Sequence, residues 1–300
     1  MLAIVIPYYK PNFFEDCLKS LASQSCKEFK VYIGDDNSPN DPKPVINKYR
    51  EVLDIHYRRY QDNLGEQDLV RHWSRCIELI GSEQWIMVLC DDDVLDYNVV
   101  ESFYDHVKRI DAMNINVVRF ASQEINHKGE IISKRFVHEE ILAYSDVFFN
   151  RFFNHFRSSL SEHIFRKSIY EKKGFRNIQM AWYADDLAWL EFSCFGCIYS
   201  INEASVYFRY SDFNISRNSY KRDTKYLLRH NFFDIVVSEF LFRFKPEHQK
   251  RILAEFEKMT YHLNKADFQF WKINILRMIR VFSLWEGLKF TRRVYLNRRK

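Results

Sequence analysis

Three groups of carboxylates stand where their types and spacing could do chemistry. Asp91-Asp92-Asp93 closes the apolar run Trp85-Ile-Met-Val-Leu-Cys90. Adjacent carboxylates repel one another unless a positive charge lies among them. An apolar strand running straight into three of them suits a divalent cation, Mg²⁺ or Mn²⁺, on oxygen ligands that also bridges nucleotide phosphates. The plainer reading is a solvated acidic turn. The second group is Asp35-Asp36-Asn37-Ser38. It suits an Asx-turn ahead of a helix, or a carboxylate that accepts hydrogen bonds from a nucleotide base or sugar. The third is Ala184-Asp185-Asp186-Leu187, flanked by Trp182, Tyr183, Trp189 and Phe192. Acids in so aromatic a setting are partly desolvated, which raises a carboxyl pKa toward general-base work. They also suit the start of a helix over 187–195, where the dipole favours negative charge.

The elements that position these groups alternate. Apolar Ala3–Tyr9, Phe29–Gly34, Ile55–Tyr60, Trp85–Cys90 and Val117–Ala121 read as strands. Between them, Asn12–Ser23, Pro44–Val52, Glu66–Ile80 and Asn98–Ile110 carry helical spacing. Such alternation predicts βαβ units and a mostly parallel sheet. Ligands of these sheets bind beyond the carboxyl ends of the strands. Two strands here end in acids, so both clusters are expected on one crevice. From 122 to 215 the pattern is mixed, with a turn at Asn126–Glu130, a helix over Tyr144–Phe156 and extended segments at Ile198–Asn202 and Ser205–Arg209. Beyond 218 the chain reads as helical.

Composition narrows the classes. Seven glycines, none in a G-x-G-x-x-G frame, and no G-K-[ST] exclude the dinucleotide fingerprint and the P-loop. Net charge is +5, yet residues 221–300 carry nineteen Lys and Arg against eight Asp and Glu, while residues 1–220 are net acidic. No recognisable nucleic-acid module accompanies that basic tail, so nucleic acid is not an expected partner. Six cysteines in mostly apolar or helical settings read as reduced thiols of a cytoplasmic protein. Met1-Leu-Ala-Ile-Val-Ile-Pro7 lacks a charged leader and reads as a strand rather than a signal peptide.

The order of these pieces resembles family 2 glycosyltransferases, inverting enzymes of the GT-A fold that use nucleotide-sugar donors. The matching segments are Ile4-Val-Ile-Pro-Tyr-Tyr-Lys10, Leu18-Lys-Ser-Leu-Ala-Ser-Gln24, Val31-Tyr-Ile-Gly-Asp-Asp-Asn-Ser38 and Asn63-Leu-Gly65. Trp73-Ser-Arg-Cys-Ile-Glu-Leu79 and Leu89-Cys-Asp-Asp-Asp-Val-Leu95 follow, then Asp185-Asp186 and Tyr207-Phe-Arg-Tyr-Ser-Asp-Phe-Asn-Ile-Ser216. The resemblance implies that Pro7 and Tyr9 line the base pocket and that Asp36 hydrogen-bonds the base. It puts Asp92 near the ribose and Asp93 on the metal, with Asp91 as a second candidate ligand because the family's first aspartate falls on Cys90. Asp186 becomes the base that deprotonates the acceptor hydroxyl, and Asp185 the fallback. Arg71, Arg75 and Arg209 are candidates to help hold the diphosphate, with an exposed-helix salt bridge the favoured reading for Arg71 and Arg75. Tyr210 stands where many members carry a histidine.

The expected architecture is therefore a GT-A catalytic domain over 1–217, with a nucleotide-binding half at 1–121 and an acceptor-binding half at 122–217. A helical, basic region at 218–300 follows. The expected reaction moves a sugar from a UDP-, GDP- or dTDP-sugar to a glycan or lipid-linked acceptor in bacterial cell-surface polysaccharide synthesis. From Phe268 to Trp285 apolar residues recur around a helix, with Lys272, Arg277 and Arg280 near one face and Lys289, Arg292, Arg293, Arg298, Arg299 and Lys300 beyond. That tail reads as an interfacial helix on an anionic membrane surface, or as a helix packed on protein. Rival readings are a metal-dependent nucleotidyltransferase and an inactive glycan- or nucleotide-binding subunit.

Overall fold

The computed structural model of the protein describes residues 1–211, 222–265 and 267–297. The chain forms two compact units, Met1–Ser219 and Tyr220–Lys300. The boundary expected at 217/218 falls outside the described residues, as do residues 212–216 of the last matching segment and the terminal Arg298, Arg299 and Lys300.

The first unit opens with strand β1 (Leu2–Tyr8), helix α1 (Phe14–Ala22), β2 (Phe29–Asp35), α2 (Lys43–Tyr49) and β3 (Ile55–Arg59). Next come α3 (Leu69–Ile77), β4 (Trp85–Val88), the short β5 (Val94–Leu95), α4 (Val99–Ala112) and β6 (Val117–Ile125). The remaining elements are β7 (Ile141–Ala143), α5 (Tyr144–Phe153), β8 (His163–Arg166), α6 (Lys167–Lys173), α7 (Ala184–Phe192) and β9 (Cys197–Arg209). The nine strands of the described residues form one sheet in the order β3-β2-β1-β4-β8-β6-β9-β5, with β7 on β9.

The first four strands in that order are parallel. Leu2 to Ile6 are fully buried, because helices cover both faces of a parallel sheet and its central strand must be apolar throughout. Helix α1 turns Phe14, Cys17, Leu18 and Leu21 inward, one stripe at 3.6-residue spacing. Its first-turn Glu15 and Asp16 suit the helix dipole. Asp68 caps α3 by accepting the Arg71 N–H at 2.9 Å.

Beyond β4 the sheet becomes mixed. β8 pairs antiparallel with β4 and β6, β6 runs parallel to β9, and β5 and β7 lie antiparallel to β9. The two extended segments expected over 198–209 are one strand, whose pairing to β6 shifts register between Phe120 and Ala121. That shift absorbs the extra residues at 202–204. β8 has no counterpart in the sequence reading: four residues between an aromatic-rich stretch and a basic helix give no measurable period.

In the second unit α8 (Arg222–Ile235) leads into a wider turn at Val236–Phe240, followed by α9 (Pro246–His262), α10 (Phe268–Val281) and α11 (Leu284–Asn297). The single amphipathic helix expected from Phe268 to Trp285 is corrected here: it breaks at Phe282 and folds back. Ser283 Oγ accepts the Glu286 N–H at 3.2 Å where α11 starts. Gly287 makes the hairpin close, since a Cβ there would sit 2.3 Å from Ile279. Trp271 and Phe290 meet across it with ring centroids 5.7 Å apart. The outer face leaves Phe268, Leu276, Leu284, Trp285 and Leu288 exposed beside Lys272, Arg280, Lys289 and Arg292. Among the described residues, no helix is long and apolar enough to cross a membrane.

Candidate active site

The carboxyl end of β1 joins two of the three acidic groups. The Asp36 N–H donates to the Tyr8 carbonyl at 3.0 Å, and Ser38 Oγ donates to the Tyr9 carbonyl at 2.7 Å. On the other side, Asp91 Oδ2 accepts the N–H groups of Tyr9 and Lys10, each at 2.9 Å. Pro7 lies within β1, half-buried, and the Tyr9 side chain is exposed just beyond its end.

Within the Asp35–Ser38 turn the two acids have different work. Asp35 Oδ1 accepts the Ser38 N–H at 2.8 Å, closing the Asx-turn, and Oδ2 accepts the Tyr57 hydroxyl at 2.6 Å. Asp36 instead reaches the Asn63-Leu-Gly65 loop, accepting from Leu64 N at 3.0 Å and Gly65 N at 2.7 Å. A Cβ at residue 65 would lie 2.6 Å from Asp36 Oδ2, so only glycine admits this approach. Arg75 closes the pocket, pairing with Asp36 and with Asp62 at 2.7 Å while its guanidinium lies 3.9 Å over the Tyr60 ring. Arg75 therefore braces the Asp36 pocket through ion pairs, the salt-bridge reading of its helix position rather than a diphosphate contact. Burial raises the Asp36 pKa against these hydrogen bonds. Burial also drops His72 to about 3, so its 3.2 Å contact with Asp36 carries no ionic charge.

The acidic run after β4 is more deeply placed. Asp93 is fully buried; its Oδ2 accepts the Ser161 hydroxyl at 2.5 Å and its Oδ1 the Arg209 N–H at 2.9 Å. Burial first, and the Asp92 charge second, push Asp91 up to about 7 and Asp93 to about 8. Asp92 is raised by burial as well. One ligand atom each from Cys90, Asp92 and Asp93 lie within 4.8 Å of one another. Two carboxylates and a thiol crowded together, with acids that burial and mutual repulsion hold toward the neutral form, fit a divalent cation. Such an ion relieves both penalties at once.

Arg209 departs from its expected place on a diphosphate. Its guanidinium is buried and donates to the carbonyls of Asp92 at 2.9 Å and Asn126 at 3.1 Å and to the Asp16 carboxylate at 2.9 Å, lying 4.3 Å over the Phe13 ring. It ties β9 to the acidic run and to α1 rather than facing a crevice.

Asp185 and Asp186 open α7. Asp186 is buried and pairs with Arg151 of α5 at 3.3 Å. Burial, then the Asp186 charge, raise Asp185 to about 7. Met180, Ala181 and Tyr183 just before them hold φ of 61°, 56° and 67°, a left-handed backbone that non-glycine residues adopt at a cost. Further along α7, Trp189 stacks on His163 with centroids 4.1 Å apart. His163 follows Ser161 by two residues, so one short segment connects the α7 helix to Asp93. Ser161 and Arg151 went unnoticed in the sequence, because neither belongs to a pattern that signals its partner.

A parallel half whose strand ends gather aspartates, joined to a mixed half with a carboxylate pair opening a helix, defines a GT-A-like α/β transferase fold. The family description "Glycosyl transferase family 2" matches residues 3–174, and the chain belongs to that family. It is a glycosyltransferase by family. Among curated protein sequences none matches. Solved structures similar to it include S. aureus TarS 1-349 in complex with UDP-GlcNAc, at 16% identity and TM-score 0.65, covering 87% of this chain and 72% of that one. TarS 1-349 in complex with UDP is similar at 16% identity and TM-score 0.61, over 91% and 78% of the two chains. A further structure of S. aureus TarS is similar at 15% identity and TM-score 0.62, over 95% of this chain and 50% of that one. At such identity the likeness is one of fold.

Proposed function

We propose that the protein is an inverting, metal-dependent glycosyltransferase that moves a sugar from a nucleotide-sugar donor, a UDP-sugar first among them, to a glycan or lipid-linked acceptor. One observation carries the reading: the Asp36 pocket and the Asp91–Asp93 run are fixed to the same strand end, beyond Tyr8. That is where ligands of parallel sheets bind. The UDP and UDP-GlcNAc named for the TarS structures favour uridine in this chain.

In this reading Pro7 and Tyr9 flank the base, and the Asp36 carboxylate, held by Gly65, Leu64 and Arg75, is its polar contact. Asp92 faces the ribose. Cys90, Asp92 and Asp93 would hold Mn²⁺ or Mg²⁺, which offsets the charge that builds on a departing diphosphate. Asp91 holds the β1 loop through its two backbone hydrogen bonds, and Arg209 holds the run itself. Asp186 takes the acceptor proton as the hydroxyl attacks the anomeric carbon from the face opposite the leaving group. Arg151, 3.3 Å from that carboxylate, fixes its position, and Asp185 stands beside it as the alternative base. On this basis we assign residues 1–121 to the donor half and 122–217 to the acceptor half.

We place the acceptor at a membrane surface in bacterial cell-surface polysaccharide synthesis, on the support of the exposed apolar and basic face of α10 and α11. The test measures UDP release from a UDP-sugar panel with and without Mn²⁺. Wild type is expected to release UDP with Mn²⁺, and Asp186→Asn to lose about 10²–10⁴-fold in kcat while binding UDP unchanged. Equal turnover in the variant would contradict the assignment.

A further inference from the structure

Cys90 stands where the acidic run would gain a further carboxylate, and the fold brings its sulfur to the same point as two of them. Its Sγ, an Asp92 oxygen and an Asp93 oxygen lie within 4.8 Å of one another. A single hydroxyl arranges two of the three residues. Ser161 Oγ accepts the Cys90 N–H at 3.1 Å and donates to Asp93 Oδ2 at 2.5 Å. The Cys90 carbonyl accepts the Asp93 N–H at 3.2 Å and the Cys17 thiol at 3.8 Å. The residue is thus held at its backbone on both sides, while its sulfur remains with the carboxylates.

We propose that Cys90 is an inner-sphere ligand of the metal site assigned above, and that its sulfur makes the centre thiophilic. The inference rests on that reading of the site. A mixed thiolate–carboxylate set suits borderline and soft cations, whereas Mg²⁺ prefers oxygen donors in near-ideal octahedral geometry. The site therefore takes Mn²⁺ in preference to Mg²⁺, and takes Zn²⁺ and Cd²⁺ more tightly than either. On binding, the Cys90 S–H bond breaks, its electron pair forms the sulfur–metal bond, and the proton passes to buffer; nothing is oxidised or reduced. Zinc is consequently a competitor for the activating ion.

The test uses the full chain with Cys194→Ser and Cys197→Ser, which removes the exposed thiols from any cadmium signal. Cd²⁺ is titrated while the thiolate-to-metal charge-transfer absorbance is recorded. Mn²⁺ binding in the presence of UDP is followed by electron paramagnetic resonance, with Mg²⁺ as competitor. Cys90→Ser and Cys90→Asp are measured beside the parent, and circular dichroism verifies that each is folded. The expected result is one equivalent of Cd²⁺ absorbance that both variants lose. Mn²⁺ affinity should fall in Cys90→Ser by at least the roughly tenfold that loss of an outer-shell partner costs. In Cys90→Asp, Mn²⁺ should still bind, with Mg²⁺ competing about tenfold better. Mn²⁺ binding with no Cys90-dependent absorbance would overturn the ligand role and leave the metal site standing. Cys90-dependent absorbance without Mn²⁺ binding would keep the ligand and remove the donor-metal reading. Binding of neither ion would overturn both.

Discussion

At the scale of residues, the two acids that open α7 differ in kind. Asp186 is buried against Arg151, while Asp185 has its pKa lifted to about 7 by burial and by its neighbour's charge. A carboxyl with a raised folded-state pKa binds more protons in the native than in the unfolded chain. Its ionisation therefore lowers stability as pH climbs from the ordinary carboxylate range through about 7. Asp185→Asn should remove that penalty. Because Asp185 is partly exposed, solvent screening trims the gain to about 1–2 kcal/mol above neutrality. Thermal melts should show the variant's midpoint raised by about 3–6 °C near pH 8 and unchanged near pH 4. A uniform shift at both pH values would mean the effect is not electrostatic. Much at this scale was legible: Asp36, Asp91, Asp93 and Asp186 announce themselves because carboxylates at strand and helix ends need a reason. Arg209 turns elsewhere than expected, since a sequence fixes that a guanidinium follows a strand but not which way it turns. Burial and the carbonyls of Asn126 and Asp92, which accept from its guanidinium, decided that for Arg209.

At the scale of elements, the parallel half follows its sequence closely. Continuous apolar runs in β1, β2 and β4 and one-sided stripes in α1 and α3 leave little choice of state or neighbour. The second half does not yield to the same reasoning. β8 is short and sits between β4 and β6, where its direction is set by partners far along the chain. The α10–α11 turn depends on a single close approach at Gly287 that periodicity does not encode. The Asn63-Leu-Gly65 loop offers a sharper test. Gly65→Ala would drive a methyl to 2.6 Å from Asp36 Oδ2, forcing the loop or the carboxylate to move. We expect about 1–3 kcal/mol of destabilisation, together with a loss of UDP affinity measured by titration calorimetry. Retained affinity in a destabilised variant would show that Asp36 serves the fold alone.

At the scale of the whole molecule, charge and apolar exposure are unevenly shared. The second unit bears exposed Phe268, Leu284, Trp285 and Leu288 among lysines and arginines, a pairing that suits an anionic bilayer surface. Co-sedimentation with anionic vesicles should retain the wild-type protein and release it as salt rises. Trp285→Glu with Leu288→Glu should abolish retention, whereas equal binding of that variant would remove the membrane assignment. The central claim lies in the first unit, and thermal stability with UDP, GDP and dTDP, each with and without Mn²⁺, tests it most directly. A ligand that binds only the folded state stabilises it by about 2.7 kcal/mol at a hundredfold excess over Kd. The expected result is a metal-dependent rise in midpoint with UDP that Asp93→Asn loses. No rise with any nucleotide in either metal condition would contradict the donor site.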